Sequence, residues 1–295
     1  MLESITPYLW LSLSALAAGA INAIAGGGTI LTFPALMAAL AGNPAGAVIA
    51  NATSTVALVP GSLAGAWAFR REMQAAKPWL ILLFVPSLVG GYIGSMLVTQ
   101  LNPKYFATLV PWLILTAAVL FSVQPMLTRR LKTAEAAPPT LRSKVAIVCF
   151  QLLVAIYGGY FGAGIGILML GALGLMRMGE INQMNAVKNV LACGINGVSV
   201  AIFAWSGKVE WRYAAPMAVS AIIGAYMGGR FSRRLPSRVV RLIVTAIGFS
   251  LAAYYFYKQF ALPPQPAPTP TVQAAARYLE ELRRVGQAAI DCPLL

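Results

Sequence analysis

The sequence predicts an all-α, polytopic membrane protein made of two homologous, inverted repeats with about eight hydrophobic segments. Three observations carry that expectation. Of 295 residues, 59% are hydrophobic and 10% charged, whereas an ordinary soluble domain is about a quarter charged. No charge falls between Glu3 and Arg70, and further uncharged stretches run 78–103, 105–128, 145–176, 189–207, 213–229 and 242–257. Several of these supply the roughly 20 apolar residues that a membrane-spanning helix needs. Finally, the chain repeats itself at a spacing of 138 residues.

That spacing, applied without a gap, pairs Ala25 with Ala163, Gly26 with Gly164, Gly28 with Gly166 and Asn51 with Asn189. It also pairs Trp67 with Trp205, Pro78 with Pro216, and Gly90-Gly91 with Gly228-Gly229. Coincidences among Ala and Leu are expected in such a composition; matches at Trp, Asn, Pro and a glycine pair in one register are not. The organisation that follows is a first transmembrane repeat over 1–128, a basic loop over 129–143, a second repeat over 144–260, and a tail over 261–295.

Each repeat opens with about 33 hydrophobic residues, 8–40 and 144–176. As one straight helix each would measure about 50 Å, too long for a hydrocarbon core of about 30 Å. Both carry glycines at their centre, Gly26-Gly27-Gly28 and Gly162-Ala163-Gly164-Ile165-Gly166, and Pro34 follows in the first. Glycine gives the backbone freedom that breaks a helix, so each segment is expected to form two short helices meeting at a glycine apex. Three plainer helices follow in each repeat, at 46–69, 77–99 and 104–127, then at 184–206, 211–231 and 238–258.

Positive charge tests this arrangement, because Lys and Arg concentrate on the cytoplasmic side. If each long segment returns to its starting side, one side collects 14 basic residues and the other 4, tail excluded and Lys188 set aside as intramembrane. A single crossing gives 11 to 7. The returning hairpin is favoured, which makes the repeats inverted, with both termini outside and the 128–144 loop cytoplasmic. The tail holds Pro263, Pro264, Pro266, Pro268 and Pro270, an extended spacer, before a short amphipathic stretch at 272–289.

Composition also excludes chemistries. The formal charge is +14, but basic residues fringing hydrophobic segments are topology signals, so nucleic acid is not an expected partner. The chain has no histidine, and Cys149, Cys193 and Cys292 lie far apart, which argues against a metal centre, a disulfide framework or any cofactor. No nucleotide-binding glycine loop is present. All eight acids (Glu3, Glu72, Glu135, Glu180, Glu210, Glu280, Glu281 and Asp291) lie at edges, in loops or in the tail. Cation transporters keep an acid within the membrane; none is embedded here, and an enzyme is equally disfavoured.

An anionic ligand fits better. Broken helices present half-helix N-termini, whose N–H groups and positive dipole ends hold anions. The candidate binding residues are Gly26, Gly27, Gly28, Gly164 and Gly166 at the apexes, with Asn51, Thr53, Ser54, Lys188 and Asn189 on the following helices. Thr55, Asn185 and Asn196 lie nearby in sequence. Amides and hydroxyls donate to oxyanion oxygens, and Lys188 adds one positive charge. The competing role is structural: membrane helices use the same residue types for close packing and interhelical hydrogen bonds, and a lysine snorkels. Trp67 and Trp205 read as interfacial anchors.

The run Ala-Gly-Ala-Ile-Asn-Ala-Ile-Ala-Gly-Gly-Gly-Thr-Ile-Leu-Thr-Phe-Pro-Ala-Leu at 18–36, then Asn51-Ala52-Thr53 and Pro60-Gly61-Ser62, resembles the first half of the sulfite exporter TauE/SafE family. Gly158-Gly159-Tyr160-Phe161-Gly162-Ala163-Gly164-Ile165-Gly166 with Lys188-Asn189 is similar to its second half. The resemblance covers about 15–258. It implies a multipass permease of the bacterial inner membrane, counted as about eight segments, that moves sulfur-containing anions such as sulfite and organosulfonates. The second half departs through Ile165 within the glycine run and Ala172 in the place of Pro34. The expected activity is secondary transport by alternating access, the alternative being a binding or accessory subunit that does not translocate. The expected partners are a small anion and the lipid bilayer; a homo-oligomer is left open.

Overall fold

The structure is a computed structural model, and it describes residues 2–24, 27–68, 73–74, 76–133, 141–175, 181–231 and 237–260. All ten elements among these residues are α-helices: α1 (Leu2–Ile24), α2 (Thr29–Ala39), α3 (Gly46–Ala68), α4 (Lys77–Gln100), α5 (Pro103–Thr133), α6 (Leu141–Tyr160), α7 (Ile165–Leu175), α8 (Ile181–Trp205), α9 (Trp211–Phe231) and α10 (Ser237–Phe260). Four contain stretches long and apolar enough to cross a membrane: Gly46–Leu63, Lys77–Gln100, Pro103–Val123 and Ala186–Trp205. Residues 1–256 form one compact unit. The tail from 261, including its amphipathic stretch, lies outside the described residues, as do Gly26 and residues 134–140 of the basic loop.

The distribution of side chains is that of a protein solvated by lipid. Leu9, Trp10, Ile81, Val85, Leu153 and Leu242 face outward, while Thr32, Asn51, Thr53, Ser54, Ser87, Ser95, Gln151 and Ser199 are buried among alanines and glycines. In water that arrangement would expose a continuous apolar surface; in hydrocarbon, association relies on close packing and interhelical hydrogen bonds instead. Trp67 and Trp205, at the ends of α3 and α8, are 70% and 95% exposed, as interfacial anchors would be.

The first hydrophobic segment divides between Ile24 and Thr29, and the corresponding segment between Tyr160 and Ile165. The arms are unequal. α1 and α6 have 23 and 20 residues, whereas α2 and α7 have 11 each, about 16 Å, or half the hydrocarbon thickness. The expectation of two short arms therefore holds for the second arm alone. A half-length helix leaves its terminal backbone groups inside the bilayer, so it must be covered by protein. α2 is so covered, burying Ile30, Thr32, Phe33, Ala35 and Leu36.

Packing crosses the two sequence halves. α1 lies against α9 and α4 against α6, with glycines bringing backbones into contact: a Cβ on Gly224 would collide with the Leu16 carbonyl, and one on Gly94 with the Ile156 carbonyl. Two cores result. One draws on α1, α2, α3, α5, α9 and α10 and takes in Val98 of α4, Ile167 of α7 and Phe203 of α8; the other draws on α4, α6, α7 and α8. α3 meets α8 between them. α10 rests on α5, with Gly248 against Ala118 and the rings of Trp112 and Phe256 edge to face at 4.9 Å.

Candidate functional site

The two breaks bring polar backbone inside the bundle, where each N–H and C=O needs a partner. At the first, Gly27 has φ +143°, a conformation reserved for glycine, and a Cβ there would overlap the ring of Phe121. Its N–H donates to Asn22 Oδ1 at 3.2 Å. A Cβ on Gly28 would come within 2.6 Å of the Ala18 carbonyl oxygen, so α2 starts pressed against α1. The first break is thus tightly packed, and one of its N–H donors is taken by the chain itself.

The second break is made differently. Gly162 and Gly164 both adopt left-handed φ, +77° and +78°. The Tyr157 hydroxyl donates to the Ala163 carbonyl at 2.7 Å, fastening the turn to the end of α6. Asn51 Nδ2 reaches across from α3 to the Tyr160 carbonyl at 3.0 Å. The stem of Lys188, from α8, passes over Gly166: a Cβ there would lie 3.3 Å from Lys188 Cδ. Helices from both halves therefore converge on residues 160–166. Beside them the rings of Phe33, Phe106, Tyr160 and Phe161 interlock at 5.3–6.4 Å between centroids, excluding solvent.

Among the sequence-selected side chains, Asn51, Thr53 and Ser54 each make a hydrogen bond to another helix or its flanking turn. Thr53 Oγ1 accepts the Glu210 N–H at 3.0 Å, tying α3 to the start of α9, and Ser54 shares a 2.6 Å hydrogen bond with Thr32 of α2. Both are interhelical ties. Asn51 is different. Its nitrogen is engaged, and because the Tyr160 carbonyl only accepts, the orientation of the amide is determined. Its oxygen, in a side chain 1% exposed, has no hydrogen-bond partner among the described residues. What Asn51 leaves unused is an acceptor, where the sequence suggested a donor. Thr55 bonds back to the Asn51 carbonyl at 2.8 Å. Lys188 and Asn189 are half-buried on α8. The side chain of Asn185 lies outside the described set.

Three contributors escaped the sequence reading, Asn22, Tyr157 and Phe121, which shape the breaks; so did Gln151, a fully buried amide whose Nε2 ties α6 to α4 by donating to Ser87 at 2.9 Å. Asn22 lies within the glycine-rich run, and Gln151 is the one amide in the 145–176 stretch. Those were the available signals. Among the described residues no group of acids, cysteines or histidines is placed to hold a metal ion.

The sulfite exporter TauE/SafE family model matches residues 11–255, which take in both breaks and all ten candidate residues. The chain belongs to this family. Relatives include a probable membrane transporter protein of Haemophilus influenzae, 27% identical over 245 residues, covering 81% of this chain and 90% of that one. Another, from Sinorhizobium sp, is 25% identical over 248 residues, covering 82% and 90%. The probable membrane transporter protein YfcA of Escherichia coli is 27% identical over 245 residues, covering 82% and 87%. No solved structure matches significantly. Family and architecture together make this a multipass membrane protein.

Proposed function

We propose that the protein is a secondary transporter for a small anion, sulfite or an organosulfonate, in the bacterial inner membrane, with its central site at the glycine breaks. The observation that supports this most is the convergence of Asn51 and Lys188, from different halves, on residues 160–166. The start of α7 contributes N–H groups and the positive end of a helix dipole, and Lys188 contributes a cationic side chain whose stem lies over Gly166. The relatives, being probable membrane transporters, support transport over an accessory role.

The two halves act as inverted repeats. Supporting this, α1 on α9 and α6 on α4 are equivalent pairs under the 138-residue shift, as are α3 on α9 and α8 on α4, while α3 on α8 pairs with itself. Alternating access then arises from rocking of two mixed bodies, α1–α2–α3–α9 against α4–α6–α7–α8, across the α3–α8 contact. Each body draws helices from both sequence halves, so the halves themselves are not the moving units.

Purified protein in liposomes tests the proposal. Sulfite or sulfonate flux should appear with the intact chain and fall after Asn51→Ala, Lys188→Ala or Asn189→Ala. Unchanged flux in all three removes the site, and no flux for any anion leaves a non-translocating binding subunit. A carboxy-terminal reporter active only in the cytoplasm would sink the inverted topology.

A further inference from the structure

The second break offers opposite chemistry on its two sides. The start of α7 presents the positive end of a helix, with left-handed glycines at 162 and 164 setting its entry. The end of α6 presents carbonyls, and beside them stands the Asn51 side-chain oxygen, buried and without a partner among the described residues. A buried acceptor left unmatched costs about 1–3 kcal/mol, and the engaged amide nitrogen prevents a flip that would relieve it. A fully deprotonated oxyanion relieves nothing, since it brings only lone pairs to face a lone pair. An anion that keeps one hydrogen meets both sides: its charge faces α7 and its hydrogen faces Asn51.

Building on the anion-transport reading, we propose that the site selects the hydrogen-bearing form of its oxyanion, with Asn51 Oδ1 as the acceptor that reads the hydrogen. Asn51 is in this sense a specificity residue: it distinguishes anions of one charge and similar size by whether they can donate. For sulfite, the ligand would be the hydrogen-bearing monoanion and the dianion would be discriminated against. Lys188, a cation, favours both forms and cannot make this distinction.

The test uses the full chain in lipid nanodiscs and equilibrium binding of labelled sulfite, at pH values on either side of the loss of its last proton. Methanesulfonate, a monoanion with no acidic hydrogen in this range, is the comparison ligand. It also reports titration of the protein groups on the elements around Asn51 and Gly166, namely Tyr157, Tyr160, Lys188 and Glu210, because its own charge does not change. The intact protein should bind hydrogen sulfite about tenfold more tightly than methanesulfonate, the worth of one hydrogen bond to a charged partner. That preference should vanish as the pH rises, with methanesulfonate binding unchanged. Asn51→Leu, which removes the acceptor at similar volume, should bring the two monoanions to within about twofold of each other. If methanesulfonate binds as well as hydrogen sulfite to the intact protein, or if a folded Asn51→Leu protein keeps the preference, the inference is wrong and the anion reading stands. If neither anion binds at any pH, both fall. Should Asn51→Leu fail to fold, the ligand and pH comparison on the intact protein decides alone.

Discussion

The two breaks look alike in sequence and differ in what they leave over. At the first, Asn22 takes the Gly27 N–H and Phe121 fills the space beside it. At the second, a tyrosine hydroxyl fastens the turn, and an asparagine and a lysine from two other helices reach it. At the first the polar cap comes from its own segment and the filling ring from α5; at the second, polar side chains of α3 and α8 join the segment's own tyrosine. Glycines that correspond in sequence therefore do not imply the same local chemistry. Breaking that asymmetry calls for substitutions at matched places.

The largest expected effect is at the closed break. Gly27→Ala combines a φ of +143° with overlap on the Phe121 ring; backbone strain and overpacking each cost about 1–3 kcal/mol, so about 2–6 kcal/mol is expected together. Gly164→Ala has only the strain: its nearest neighbour is the flexible end of Leu120 at 3.2 Å, so about 1–3 kcal/mol suffices. Thermal unfolding in detergent should rank them in that order. Equal losses would mean the two breaks are packed alike.

Next comes function. Lys188→Met keeps an unbranched stem over Gly166 and removes the charge, so sulfite flux in liposomes should fall about tenfold or more. Gly28→Ala, at the first break, should lower stability and flux together, because the Ala18 carbonyl stands 2.6 Å from the added methyl. A Lys188→Met protein with full flux would place the anion elsewhere.

How much of this was legible depends on whether a feature is local. The helices α1 and α6 end at Ile24 and Tyr160, beside Gly27-Gly28 and Gly162-Ala163-Gly164, where loss of Cβ acts at its own position. The 46–69 and 184–206 expectations likewise lie within three residues of α3 and α8 at either end. The pairing of α1 with α9 and of α4 with α6 was not legible: the 138-residue shift says which positions correspond, not which touch. Thr53 and Ser54 illustrate the consequence. Their type suggests ligand donors, and their spending on Glu210 and Thr32 is decided by which helices arrive beside them. Asn51 is the same lesson in reverse, since only its tie to Tyr160 reveals that an acceptor is what it has left.

Smaller effects sharpen how each turn is fastened. Tyr157→Phe removes the donor to the Ala163 carbonyl and nothing else. Interhelical hydrogen bonds in membranes average about 0.6 kcal/mol, and a buried carbonyl left unpaired costs about 1–3. A loss of about 1–2 kcal/mol in unfolding free energy is therefore expected, with a weaker dependence of flux on Lys188 if the turn loosens. An unchanged protein would mean that Asn51, through Tyr160, holds the second break without help.

The smallest effect isolates the first break's fastening. Asn22 has two contacts: its oxygen accepts the Gly27 N–H at 3.2 Å, and its nitrogen approaches the Ser62 hydroxyl at 3.5 Å, the limit of a useful hydrogen bond. The Ser62 hydroxyl already donates to the Leu58 carbonyl at 3.3 Å. Ser62→Ala should therefore change stability by only a few tenths of a kcal/mol, whereas Asn22→Leu, which leaves the Gly27 N–H unmatched, should cost about 1–2 kcal/mol. Comparing both by thermal unfolding separates a break closed from within its own segment from one propped by α3. If Ser62→Ala costs as much as Asn22→Leu, the first break too is held from a distance, and the contrast between the two turns is one of degree.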